Sequence, residues 1–226
     1  MTIPLTHPIH PTMKKLLLLP ALVFFAVSMQ AQNSHFGLSF SPGIYWFSPD
    51  ADSVSSDGVS FGYSYGAITD FGFTPNYSFS TGFSVMNISS KYVSESPTGK
   101  GNVNAKINFM YINIPLTIKM RTNEIGYIRY FGQVGLNAGV RIRADITGST
   151  VTSGGSEPFS KKITADAAII RPSLNIGAGL EYYLSGSTAL MAGLHYDNGF
   201  TSVTSTKKGY PFLFSRGIRL DLGILF

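Results

Sequence analysis

From Ser34 to Phe226 the sequence alternates with a period of two, setting bulky apolar residues against small or polar ones. In Ser34–Phe47 the even positions read Phe36, Leu38, Phe40, Pro42, Ile44 and Trp46, against Gly37, Ser39, Ser41, Gly43 and Tyr45. Alternation of this kind is the signature of a strand with two unlike faces; a helix would repeat every 3.6 residues. It recurs in Val59–Phe73, Tyr77–Ile88, Asn104–Met120, Tyr127–Ile146, Thr164–Tyr183, Thr188–Asp197 and Phe214–Phe226. That makes eight strands.

Asn104–Met120 is the irregular one. Ile107, Phe109 and Tyr111 share one parity, and Ile112, Ile114, Leu116 and Ile118 the other. If the apolar face is a single face, a bulge near Tyr111 is needed to reconcile them. Pro42, Pro115 and Pro172 also lie inside strands, where a closed sheet offers no free edge, and are expected to mark bulges.

The connections alternate in length. They are long at 48–58, 89–103, 147–163 and 198–213, and short at 74–76, 121–126 and 184–187. Short turns on one side and long loops on the other is the layout of an outer-membrane barrel, with both termini on the short-turn, periplasmic side. The expected fold is therefore all-β: an eight-stranded, antiparallel, up-and-down transmembrane β-barrel of the outer membrane with a polar, side-chain-filled lumen.

The rival is a soluble barrel with its apolar face inside. Its exterior would be dense in lysine and glutamate, but only 13% of this chain is charged and the second face is largely glycine, serine and asparagine. Small residues suit the narrow interior of eight strands. Aromatics near strand ends, such as Tyr127, Tyr130, Tyr182 and Tyr196, match an interfacial girdle. Arg216 falls on the lipid-facing parity near the long-loop end, where arginine costs about 0–1 kcal/mol.

Ahead of the strands, Met13-Lys14-Lys15, the apolar run Leu16–Val27 and Ser28-Met29-Gln30-Ala31 follow the layout of a signal peptide. The reading is residues 1–12 as an upstream start, 13–31 as a cleavable signal and 32–226 as the barrel. His7 and His10 fall in the leader and are not taken as a metal pair. The absence of cysteine removes disulfides and thiolate chemistry. The formal charge of +5 falls to +3 (15 basic, 12 acidic) without Lys14 and Lys15, and the cations are scattered, so no nucleic-acid partner is indicated.

Tyr111-Ile112-Asn113-Ile114-Pro115-Leu116-Thr117-Ile118-Lys119 resembles the "Y-[LI]-x-[IV]-P-L-x-[LI]-K" strand of the PorT-like outer-membrane β-barrel proteins of Bacteroidetes. Gly177-Ala178-Gly179-Leu180-Glu181-Tyr182-Tyr183 resembles that family's "G-x-G-x-E-Y" strand, and Leu220–Phe226 its C-terminal strand. Asn113 stands where the family often has an acid, so no role of that carboxylate carries over. The resemblance implies an outer-membrane location and a C-terminal assembly signal at Phe226, read by the barrel-assembly machinery. Some members are linked to type IX secretion; most have no assigned activity.

The inward-facing charges are expected to be Lys119, Arg129, Arg141, Arg143, Arg171 and Arg219, with Asp145, Glu181, Asp197 and Asp221, and His195 beside them. In a narrow lumen such charges must pair, which makes a structural plug; the sharper alternative is an arginine-lined anion path. His195 and Asp197, one pleat apart on the inward face, admit a lipid hydrolase of the Ser-His-Asp kind, but no serine lies at a nucleophile spacing. Asp50, Asp52 and Asp57 lack the glycine and terminal glutamate of a calcium loop, and Ser153–Ser156 is a loop tip with no helix after it to cradle phosphate. No catalytic, cofactor-binding or metal-binding residue is expected. The expected protein is non-enzymatic and acts through its long loops or through partner envelope or secretion proteins, with outer-membrane lipid as its surroundings.

Overall fold

The computed structural model describes residues 34–49, 54–56, 58–95, 102–152, 155–162, 168–203 and 213–226. The expected leader and signal peptide, the acidic cluster at 50–57 and Ser153-Gly154 lie outside them. Among the described residues there are ten strands: β1 (Ser34–Pro49), β2 (Val54–Ser56), β3 (Ser60–Thr74), β4 (Tyr77–Glu95), β5 (Asn102–Arg121), β6 (Ile128–Thr152), β7 (Gly155–Lys162), β8 (Ile170–Ser185), β9 (Thr188–Ser202) and β10 (Leu213–Leu225). No described helix is long and apolar enough to cross a membrane.

Eight strands form a ring in the order β1-β3-β4-β5-β6-β8-β9-β10, each antiparallel to its neighbours, and β10 pairs back onto β1. Closure removes the unpaired edges that an open sheet would expose. β2 and β7 stand outside the ring, on β4 and β6. β7 falls in what the sequence reads as a loop: β6 and β7 form a hairpin that runs from the pair Asp145–Lys162 to the pair Thr152–Gly155. This stretch is mostly threonine, serine and glycine, so it lacks the apolar face by which the other strands are recognised. The short turns lie at one end of the ring; Gly186, in the turn after β8, has φ 56°, a conformation that favours glycine.

The apolar face is outermost. Leu116 is 46% exposed, while Thr117 beside it is 1% exposed. Phe36, Leu38, Phe40, Phe83, Leu136, Leu194 and Leu220 are likewise exposed, and the small and polar residues point inward. A soluble barrel would have the reverse arrangement.

Two expectations about irregular geometry change. β5 keeps one phase throughout: Ile107, Phe109 and Tyr111 are buried on the same inward side as Asn113, Thr117 and Lys119. What switches at Tyr111 is the chemistry of the lumen. A bulge does lie opposite, but on β6: Met110 faces Arg143 and Tyr111 faces Arg141, so Ile142 is the extra residue. The prolines mark no bulges. Pairing of β1 with β10 lapses between Phe40 and Gly43, and that of β4 with β5 between Thr81 and Ser84 opposite Pro115, each resuming in the same register. Pro172 also stays in register, opposite Ala138 within the β6–β8 ladder, which continues to the pair Val140–Ile170. A missing N–H costs a rung without displacing the strand.

Candidate functional site

The lumen is filled at two levels. Nearer the short turns, Asp70 of β3, Lys119 and Arg121 of β5 and Glu181 of β8 form an ion lattice. Lys119 donates from Nζ to Asp70 Oδ2 at 2.7 Å and to Glu181 Oε1 at 2.9 Å. Arg121 donates from Nε to both Glu181 oxygens, at 2.9 and 3.1 Å, from Nη1 to Ser78 Oγ at 2.8 Å, and from Nη2 to Asp70. Ser80 donates to Asp70, and the Lys119 ammonium sits 4.7 Å from the centre of the Phe131 ring. All four charged residues are buried, and two cations meet two anions. β3 and β8 are four steps apart in either direction round the ring, so the lattice braces the barrel across its diameter.

A second network lines the wall of β6, β8, β9 and β10. Asp197 accepts from Arg171, from Ser173 Oγ at 2.8 Å and from Asn137 Nδ2 at 2.8 Å. Arg171 also donates to Ser215 Oγ at 2.6 Å. Arg219 donates to Asp221 Oδ1 at 2.8 Å and to Asn175 Oδ1 at 3.2 Å. Between the two networks lies a cavity of about 50 Å³ lined by serines, Asn113, Gln133 and His195, room for a few water molecules.

Toward the long loops the filling is apolar. Tyr45, Phe47, Met86, Ile88, Ile107, Phe109, Tyr111, Ala144, Ile146, Val203 and Leu213 make one buried cluster. The rings of Phe47 and Phe109 meet edge-on, with centroids 5.8 Å apart. The polar plug expected from the sequence is therefore only part of the filling, and a smaller apolar cluster of Phe131, Ala189, Met191 and Leu225 packs beside the ion lattice itself.

Glycines make room for the larger inward side chains. A Cβ on Gly177 would stand 2.3 Å from Nδ1 of His195, so the imidazole lies against bare backbone. Tyr45 lies between two such sites: one edge of its ring meets Gly217 of β10 and the other meets Gly62 of β3.

The predicted charges scatter. Lys119, Arg171, Glu181, His195, Asp197, Arg219 and Asp221 are in the lumen networks. Arg129 stands at the short-turn mouth, 3.2 Å from Glu124 and stacked on Tyr183. Arg141 donates to the backbone of Ala168 at 2.8 Å. Arg143 and Asp145 do not face the lumen: the bulge at Ile142 reverses the phase of β6 and places both on the outer surface, 2.5 Å apart. Asp70 and Arg121 join the lattice although neither is in the predicted set. Phe226 is exposed at the short-turn end, its N–H donating to Phe36 O at 2.7 Å. Arg216, outward as expected, donates to Asn198 Oδ1 at 3.1 Å.

His195 and Asp197 bond to different groups and not to each other. Asp197 is occupied by Arg171, Ser173 and Asn137. The His195 ring lies 3.2 Å from Asn175 Oδ1 and 3.4 Å from Asp221 Oδ2, and the residue is 2% exposed. Among the described residues no group of three or more His, Asp or Glu side chains could hold a metal ion.

A closed antiparallel ring of eight strands, apolar outside and filled within, defines a membrane-spanning β-barrel of the outer-membrane type. The chain matches the outer membrane protein beta-barrel domain family over residues 30–205 and belongs to it. That family is one of Gram-negative outer membranes. No curated protein matches the chain in sequence. Similar solved structures include the attachment invasion locus protein Ail of Yersinia pestis, at 15% identity over 85% of this chain and 99% of that one, TM-score 0.39. Neisserial surface protein A is similar at 11% identity over 86% and 100%, TM-score 0.44. The outer membrane protease OmpT of Escherichia coli is similar at 7% identity over 86% and 96%, TM-score 0.40.

Proposed function

We propose that this protein is a non-enzymatic outer-membrane barrel that acts at its long-loop end, through its extracellular segments or envelope partners, in adhesion, structural support or secretion. The observation that carries this reading is the filling of the lumen at two levels, charged at one and aromatic at the other. A bore so filled should leave no continuous water path, and among the described residues His195 meets Asn175 and Asp221, neither of them a serine. Purified protein in planar bilayers is expected to show no steady ion conductance; a reproducible open conductance would overturn the reading. Lipid hydrolysis that disappears in His195→Ala would do the same in favour of an enzyme.

The long loops are placed outside the cell. An epitope tag at Gly155 should be reached by antibody on intact cells and one at Asn76 should not; the reverse pattern sinks this orientation. Within the family we place the chain in the PorT-like branch, on the motif Tyr111–Lys119, whose inward column supplies Tyr111 to the apolar cluster and Lys119 to the ion lattice. Phe226 is assigned as the assembly signal: its deletion should reduce the folded, heat-modifiable form on gels, and normal folding without it would place the signal elsewhere.

A further inference from the structure

Below Ile142 the odd positions of β6 face the lumen; above it Ala144 and Ile146 are the buried ones. Arg143 and Asp145 are thereby turned outward, their side chains 58% and 19% exposed. Arg143 stands opposite Met110 of β5 and Asp145 opposite Asn108. Lys91 of β4 stands opposite Lys106 of β5, and Lys162 of β7 opposite Asp145. Directly opposed residues of an antiparallel pair share a face. Four cationic side chains from four consecutive strands, Lys91, Lys106, Arg143 and Lys162, thus share one outward surface. Among the described side chains there, the carboxylate is Asp145.

Two of these cations, Lys106 and Arg143, line a groove of about 320 Å³ together with Phe61, Tyr63, Met110 and Asp145. Its lower wall continues into the membrane-facing band. The outward column of β5 reads Met120, Ile118, Leu116, Ile114, Ile112 and Met110, then Asn108 and Lys106. From Met120 to Met110 the strand climbs roughly 25 Å along the barrel axis, the height of the apolar band of a transmembrane barrel. Lys106 and Asn108 therefore stand at the level of lipid headgroups. On the far wall the same end carries Phe200, Ile169 and Ile170 exposed, with Arg216 bonded to Asn198.

We propose that this surface binds a phosphorylated lipid of the outer leaflet. Its phosphate groups lie among Lys91, Lys106, Arg143 and Lys162, and its acyl chain lies over Met110, Tyr63 and Phe61. An arginine fork accepts phosphate oxygens in pairs, and cations at the headgroup level attract anionic lipid. The apolar wall favours a lipid over a soluble polyanion. The outer-leaflet assignment rests on the orientation proposed above.

The test uses the intact protein in neutral detergent and a glucosamine-disaccharide lipid carrying two phosphates, followed by native mass spectrometry. Saturable binding is expected, with the same lipid stripped of phosphate binding weakly and equimolar inorganic phosphate failing to compete. The double variant Lys106→Gln/Arg143→Gln should bind about tenfold more weakly while staying heat-modifiable; Arg216→Gln should bind as the wild type does. Equal binding of the stripped lipid, or an unaffected double variant, overturns the proposal. So does tighter binding of a sulfated polysaccharide than of the lipid, which would make this a carbohydrate site. Binding in detergent does not depend on which end faces outward, so reversed epitope tags with lipid binding intact would overturn only the choice of leaflet.

Discussion

At the short-turn end of the lumen, Asp70, Lys119, Arg121 and Glu181 hold β3, β5 and β8 together through directed, charged hydrogen bonds. At the long-loop end, Tyr45, Phe47, Phe109 and Tyr111 fill the same bore with rings. The first arrangement is costly to assemble, since each charge leaves water, and costly to break, because a lost partner strands the others. The second is non-directional and depends on close packing. The difference teaches that one bore, within one ring of strands, can be closed by pairing charges across its diameter or by covering its wall with carbon. Each half should answer to a different kind of damage.

Glu181→Ala should do the most harm. It leaves Lys119 and Arg121 sharing Asp70 alone, a loss of about 3–5 kcal/mol, measured by thermal unfolding in detergent. Pairing it with Lys119→Met should recover much of that loss; a single variant as stable as the wild type would mean the lattice is hydrated. Phe109→Ala in the apolar half should cost about 3 kcal/mol by leaving a cavity, and no charge-neutralising second change should rescue it. If removing Lys119 rescued Phe109→Ala, the two halves would not be separate.

Gly177→Ala should cost about 1–3 kcal/mol through overpacking, because its new methyl meets the His195 ring. In a His195→Ala background the same change should be nearly harmless, and an undiminished cost there would locate the clash elsewhere. Arg143→Gln, on the outer surface, should stay within about 0.5 kcal/mol of the wild type. A larger loss would return Arg143 to the lumen.

The ring of eight strands was legible because lipid imposes one rule on every strand: apolar residues out at alternate positions. The lumen was legible only where that rule held. Asp70 lies on the inward parity of its strand, between Thr69 and Phe71, yet it does not stand out among serines and glycines. Arg121 closes its strand and reads as the start of a turn. Arg143 and Asp145 were misplaced because Ile142 is an ordinary strand residue and nothing about it announces a bulge. The apolar half of the lumen was hidden by the same rule. Ile107 and Phe109 look alike whether they face lipid or packed rings, so a change in what fills the bore imitates a change of phase. Tyr45 and Phe47, large rings at the end of a column of glycine and serine, are the sequence signal for that apolar half.

The placing of the Tyr45 ring bears on how the barrel shuts. Tyr45 belongs to the first strand of the ring and Gly217 to the last, so their contact cannot exist until the two ends of the sheet have met. Its other edge rests on Gly62, within a pairing of neighbours in sequence that needs no closure. The tyrosine is thus a latch with one side set before the seam forms and the other only afterwards, and its packing on Gly217 is a local marker of a sealed barrel as distinct from a curled sheet.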